Sequence, residues 1–170
     1  MIQPPEKSEY NEFYQGYINT LPKGDIVQFL EDQKNELVTL LHVLPEGMED
    51  HSYADGKWTI KQVVRHIIDT EMVFLYRVLA ISRDVNSDLP GMNQDVYVDN
   101  ANDDESSLAE MIDQFDKVRE TSISMIRSIP DTALTNHGKA SGFPLSVRAG
   151  IYILAGHAEH HKTILTERYL

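Results

Sequence analysis

His66, His157 and His161 are the residues of this chain whose type and spacing point to chemistry. Within the stretch GHAEHH, residues 156–161, His157 and His161 are four apart. On an α-helix that offset is about 40° around the axis, so both imidazoles leave from nearly the same side and can converge on one ion. The metalloprotease helix motif uses the same spacing. With seven histidines in the chain, about one chain in four of this length would show such a pair by chance. His160, three residues from His157, offers a second pairing; spacing favours His157 with His161 and leaves both open.

A third ligand has to come from another segment. His66 follows Gln62 by one turn and is bracketed by Val63, Ile67 and Thr70, so it should face the core. A buried imidazole is costly unless both ring nitrogens find partners. A single core histidine usually satisfies that with one hydrogen bond. An inward histidine on one helix and an inward pair on another together suggest a divalent metal with positions open to water or substrate. Asp69 is the candidate carboxylate behind His66, and Asp69 or Glu71 the candidate base beside such an ion. Glu159 should point about 160° away from the histidine pair, towards the surface. His42, His51 and His137 fall at helix ends or in loops and need no special role.

Helices must position these side chains, and four long stretches have helical periodicity. The first runs from Asp25 to Leu44, with Asp25 and Gln28 as a capping pair and Pro45 and Gly47 as a stop. The second starts at Thr59, boxed with Gln62, and reaches the low eighties. The third starts at Ser107, boxed with Glu110, and runs to Pro130. The fourth begins near Ser146 and continues towards the C-terminus. A shorter helix capped by Ser8 would place Tyr10, Phe13, Tyr14, Tyr17 and Ile18 on one side, as a packing stripe. Two long connections, Asp84–Ser106 and Asp131–Leu145, are candidates to shape a site. The expected fold is all-α: one domain over 1–170, an antiparallel four-helix bundle with a short N-terminal helix and two long loops. A crossover between the third and fourth helices is the alternative wiring.

Composition narrows the function classes. The chain has no cysteine, which rules out disulfides, thiolate ligands and a cysteine nucleophile, and suits a reducing, cytoplasmic setting. A net charge of −12 with no basic stripe argues against nucleic acid and anionic lipid as partners. No apolar run approaches the roughly 20 residues of a membrane span, and MIQPPEKSEY has no apolar signal core.

The stretch YADGKWTIKQVVRHIIDTE, the loop LPGMNQDVYV and the ending SVRAGIYILAGHAEHH…ERYL resemble the DinB-like superfamily, including its metal-dependent hydrolases and bacillithiol-type S-transferases. The resemblance spans residues 4–170. It implies a four-helix bundle, often homodimeric, that holds zinc or nickel through one histidine of the second helix and two of the last. The histidine after KWTIKQVVR is His66, and the pair in GHAEHH falls on His157 and His161, which resolves the choice against His160. The transferase branch has a further histidine shortly after the first ligand; Glu71 stands in that place here. The implied function is transfer of a low-molecular-weight thiol to an electrophile. A metal-dependent hydrolase and a non-catalytic metal-binding stress protein are the alternatives.

Overall fold

Side-chain caps decide where the long helices begin. In the computed structural model, which describes residues 1–101 and 105–170, Thr59 with Gln62 and Ser107 with Glu110 form the reciprocal boxes expected of them. They open α3 (Ile60–Arg83) and α5 (Leu108–Arg127). Asp25 caps α2 (Ile26–His42) by accepting from the Val27 amide. Gln28 does not close a box there, because its amide is spent on Asp32 one turn further on. Ser146 caps α6 (Val147–Ile164), and the chain continues into a π-helical turn, Leu165–Tyr169.

The N-terminal segment departs from the expected single helix. Ser8 lies inside a 3-10 turn, Lys7–Glu9, and Asn11 then accepts from the Phe13 amide and starts a second turn, Glu12–Tyr14. An asparagine that bonds its own neighbouring backbone competes with helix propagation, so only α1 (Gln15–Asn19) is α-helical.

The four long helices form a bundle, and cross-helix bonds show how it is wired. Arg65 with Gln114 and Glu71 with Arg119 advance together, so α3 and α5 run parallel. Gln33 with Glu159 and Glu36 with Lys162 make α2 parallel to α6. The other neighbours are antiparallel: Glu31 pairs with Arg127 and Lys34 with Glu120 across α2 and α5, while His66 meets His157 and Val78 meets Gly150 across α3 and α6. Parallel neighbours in sequence require the chain to travel back along the bundle. The long connection after α3 does this, since α3 is 24 residues, about 36 Å, in length.

Neither long connection is structureless. The first holds β1 (Asp88–Leu89) and α4 (Gln94–Asp99); its residues 102–104 lie outside the described residues. The second folds into a hairpin of β2 (His137–Ala140) and β3 (Phe143–Ser146). Ser141 and Gly142 turn it with φ of 56° and 81°, the left-handed pair that a two-residue hairpin turn requires. β1 joins parallel to β2, so a small three-stranded sheet closes one end of the bundle. The apolar core forms two clusters, one around Phe74, Val78, Ile151 and Ile153 and one around Leu37, Ile67, Phe115 and Leu165. Glu71 and His157 fall between them along α3 and α6, and His66 lies within the α3 stretch of the second.

A candidate metal centre of three histidines

The structure brings together the three histidines singled out by spacing and resemblance. His66 comes from α3, His157 and His161 from its antiparallel neighbour α6, and all three are buried. Their ring centroids lie 4.5–4.8 Å apart, and one ring nitrogen from each lies within 4.8 Å of the others. Nε2 of His66 and Nε2 of His157 are 2.9 Å apart.

Burial dominates the electrostatics. It lowers the pKa of His66 to about 4, against the opposing pull of the Asp95 carboxylate, and that of His161 to about 3, and it pushes His157 well below its ordinary value, with neighbouring imidazoles adding to the effect at each. All three rings are therefore neutral at pH 7, the form that presents a lone pair. Among the described residues, His161 Nδ1 is the buried side-chain polar atom with no hydrogen-bond partner. A neutral, desolvated nitrogen in that state is costly unless something accepts its lone pair or its proton. Three such imidazoles in one place fit a divalent zinc- or nickel-type ion.

Neighbours hold the trio in place. Nδ1 of His66 faces Thr70 Oγ1 at 3.5 Å, so Thr70 is found where the sequence had put forward Asp69. The Trp58 ring lies 4.9 Å from that of His66, and Trp58 is tied down by Tyr169, whose hydroxyl donates to its carbonyl at 2.6 Å. Tyr17 of α1 stands edge-on to His157 at 5.6 Å. It gets so close because Gly156 has no side chain: a Cβ there would meet the Tyr17 carbonyl oxygen at 2.3 Å. His160 is exposed, its ring 5.2 Å from that of Tyr17 and 5.1 Å from that of His161, and it is not part of the trio.

Glu71, put forward as a candidate base, and Glu159, expected at the surface, are placed differently from expectation. Glu71 is buried, but both its oxygens are taken by Arg119, from Nε at 2.6 Å and Nη2 at 2.7 Å. Arg119 also donates to Gln33 Oε1, and Gln33 donates to the Ala155 carbonyl and to Glu159. Glu159 is therefore only partly exposed and belongs to a polar chain that ties together all four long helices. Glu71 is a structural carboxylate, not a free base. The interior positions of Gln33 and Arg119 were missed because the α2 and α5 stripes read as solvated on their polar faces; an arginine seven residues from Ile112 and Ile126 was the available signal.

A cavity of about 450 Å³ opens beside the trio, lined by His66, His157, Tyr17, Phe74, Arg77 and Asn93, among others. The long connection after α3 supplies Met92, Asn93 and Gln94 to it, so part of that loop does shape the site. Arg77 was not anticipated, although it continues the face of α3 that carries His66, Thr70 and Phe74.

The model of the DinB superfamily matches residues 29–165. A Bacillus mycoides protein named as a candidate metal-dependent hydrolase is 24% identical over 156 residues, which is 88% of each chain. A Bacillus cereus protein of the same designation is 26% identical over 143 residues, 82% of this chain and 81% of its own. Among solved structures, YfiT from Bacillus subtilis, described as a probable metal-dependent hydrolase with an unusual four-helix bundle topology, aligns with a TM-score of 0.72. It is 18% identical and covers 96% of this chain and 89% of its own, a likeness of fold.

Proposed function

The chain belongs to the DinB superfamily, and on that premise we propose that it is a metal-dependent enzyme that transfers a low-molecular-weight thiol to an electrophile. The observation that carries this reading is the convergence of three buried, neutral imidazoles, two of which, His66 and His157, line a cavity large enough for a small molecule. His66, His157 and His161 would hold the ion. A divalent ion such as zinc or nickel supplies Lewis acidity there, which lowers the pKa of an incoming thiol or, in the hydrolytic alternative, of water.

The protein's own groups provide the rest. Thr70 orients His66, and Trp58 and Tyr17 pack against the rings and keep water from their flanks. Burial, helped by the nearby Tyr14, raises the pKa of the Tyr17 phenol, which therefore stays neutral. Among the described residues, no carboxylate lines the cavity, and Glu71 is committed to Arg119. Thiol transfer suits such a wall, since a thiolate needs no protein base once formed. Hydrolysis is the second reading, favoured by the names of the Bacillus relatives.

No helix among the described residues is long and apolar enough to cross a membrane. The same proposal places the chain in the cytoplasm, as one domain that pairs as a homodimer. Light scattering at twice 19.4 kDa supports the pairing, and a constant 19.4 kDa across concentrations rejects it. The test of function is to offer the metal-loaded protein an aromatic or alkyl electrophile with bacillithiol, glutathione or coenzyme A. Metal-dependent conjugation that His66→Ala abolishes supports transfer. Ester or amide cleavage without thiol supports a hydrolase. Silence across the panel with metal retained points to a non-catalytic binding protein.

A further inference from the structure

We infer that Arg77 is the anion-binding residue of the cavity and selects small molecules with a carboxylate-type group. This rests on the reading that the reacting end of the substrate lies at the histidine trio.

Among the described residues two arginines are buried, Arg77 and Arg119, and Arg148 is partly buried; the last two have carboxylates. Arg119 is paired with Glu71 and Arg148 with Glu9. Arg77 is only 3% exposed, yet among the described residues no ion pair joins it to an acid. Its Nη2 donates to the Pro90 carbonyl at 3.0 Å and to Ser141 Oγ at 3.4 Å, and its guanidinium lies 4.8 Å from the Phe74 ring centroid. These contacts fix the group without neutralising it. A buried cation without a counter-charge is expensive, so its retention calls for a reason.

Nε and Nη1 of Arg77 have no acceptor, and neither is sealed from solvent, because His161 Nδ1 is the sealed orphan among the described residues. The space they reach is the cavity, together with a smaller hollow of about 150 Å³ that adjoins it at Arg77. Arg77 is the one formally charged side chain among the residues that line the cavity; the others are apolar, hydroxyl, amide or neutral imidazole. Asp95, which follows Asn93 and Gln94, acts electrostatically on His66, so the positive field that would draw an anion is local to Arg77.

The spacing also defines the ligand. His66 and Arg77 are eleven residues apart on α3, about 16 Å of helix rise, and α-helical side chains lean back towards the N-terminus. His66 leans the same way, but the arginine side chain is longer and reaches further back, and both line the one cavity. A molecule with its reactive atom at one end and a carboxylate at the other, separated by several bonds, fits that arrangement.

The test compares 6-mercaptohexanoate with its neutral analogue 6-mercaptohexanamide by calorimetry, on the zinc-loaded and the metal-free protein. The expected result is at least about tenfold tighter binding of the carboxylate in both forms, as one charge-assisted hydrogen bond would give. That ratio should fall to about one in Arg77→Gln and be largely kept in Arg77→Lys, with circular dichroism checking that each variant folds. A ratio near one in the unmodified protein, a ratio unchanged in Arg77→Gln, or no binding of either probe overturns the inference. The unmodified comparison needs no variant, so misfolding cannot obscure it. Failure to take up zinc with the ratio intact would sink the metal reading alone. Zinc-enhanced binding of both probes at a ratio of one would sink the role of Arg77 alone.

Discussion

Nε2 of His66, on α3, stands 2.9 Å from Nε2 of His157, on α6. Both rings are neutral, so at this distance one nitrogen must carry the proton that the other accepts. An ion held between them needs both lone pairs facing inward, with each proton moved to the opposite ring nitrogen. At His66 that nitrogen is Nδ1, and the Thr70 hydroxyl beside it can receive the proton as a hydrogen bond. The site is therefore equipped to change tautomer without moving a helix.

Metal content distinguishes the chosen ligands from their neighbour. Elemental analysis of protein purified without a metal-affinity tag should find about one ion per chain, as three converging imidazoles imply. Substituting alanine for His66, His157 or His161 should remove most of it, while His160→Ala keeps it, since that ring is exposed and not part of the trio. Equal metal in the His160 and His161 variants would show that the trio is misassigned.

The Glu71–Arg119 pair predicts a loss of stability rather than of a catalytic base. Both groups are buried, and each satisfies the other through two hydrogen bonds. Removing one partner leaves a desolvated charge, so Glu71→Gln should cost about 3–5 kcal/mol in urea denaturation. Glu71→Leu combined with Arg119→Met should be more stable than either single change, because no buried charge remains. An intact, fully stable Glu71→Gln protein with abolished activity would instead make Glu71 the base.

These placements mark where sequence reasoning succeeds and where it stops. Reciprocal caps at Thr59 and Ser107 were legible because they are local, three residues from donor to acceptor. The meeting of the three histidines was legible because His157 and His161 share a helix face and His66 sits on an apolar one. The wiring of the bundle was not, since nothing within α3 or α5 states that they run parallel. The hairpin at Ser141–Gly142 was read as loop because its strands are four residues each, too short for an alternating pattern to register. Glu71 was legible as unusual, but its partner lies 48 residues away on another helix.

Acid should release the N-terminal segment. Burial alone would raise the Glu9 pKa, but hydrogen bonds from Arg148 and Ser146 and from the Glu6 amide outweigh it and lower the value to about 2 from an ordinary 4.5. The folded state thus keeps this carboxylate charged where the unfolded chain would protonate it. Its stabilising contribution is complete above about pH 4.5, shrinks as pH falls, and is gone below about pH 2. Glu9→Gln should cost about 2–3 kcal/mol at pH 7. The gap between variant and parent should close as the pH of denaturation is lowered from 4.5 towards 2. A gap that stays constant over that range would mean that the ion pair contributes nothing.

Gly156 and Gly150 both lie inside α6, where alanine would ordinarily stabilise the helix by about 1 kcal/mol. Their surroundings separate them. At Gly150 the new methyl would meet a methyl of Val78 at 2.7 Å, a side-chain atom that can yield by a small rotation. At Gly156 it would meet the Tyr17 carbonyl oxygen at 2.3 Å and carbon at 2.6 Å, so the backbone of α1 itself must move. Gly156→Ala should therefore destabilise by about 1–3 kcal/mol, the usual range for forced overpacking, and Gly150→Ala by less. The displacement would also lift Tyr17 off His157, which opens the flank of the trio to water. Amide exchange across residues 12–19 should quicken in Gly156→Ala, and loaded metal should pass to a chelator faster, while Gly150→Ala changes neither. If both variants release metal at the parental rate, Tyr17 is packing and not the cover of the site.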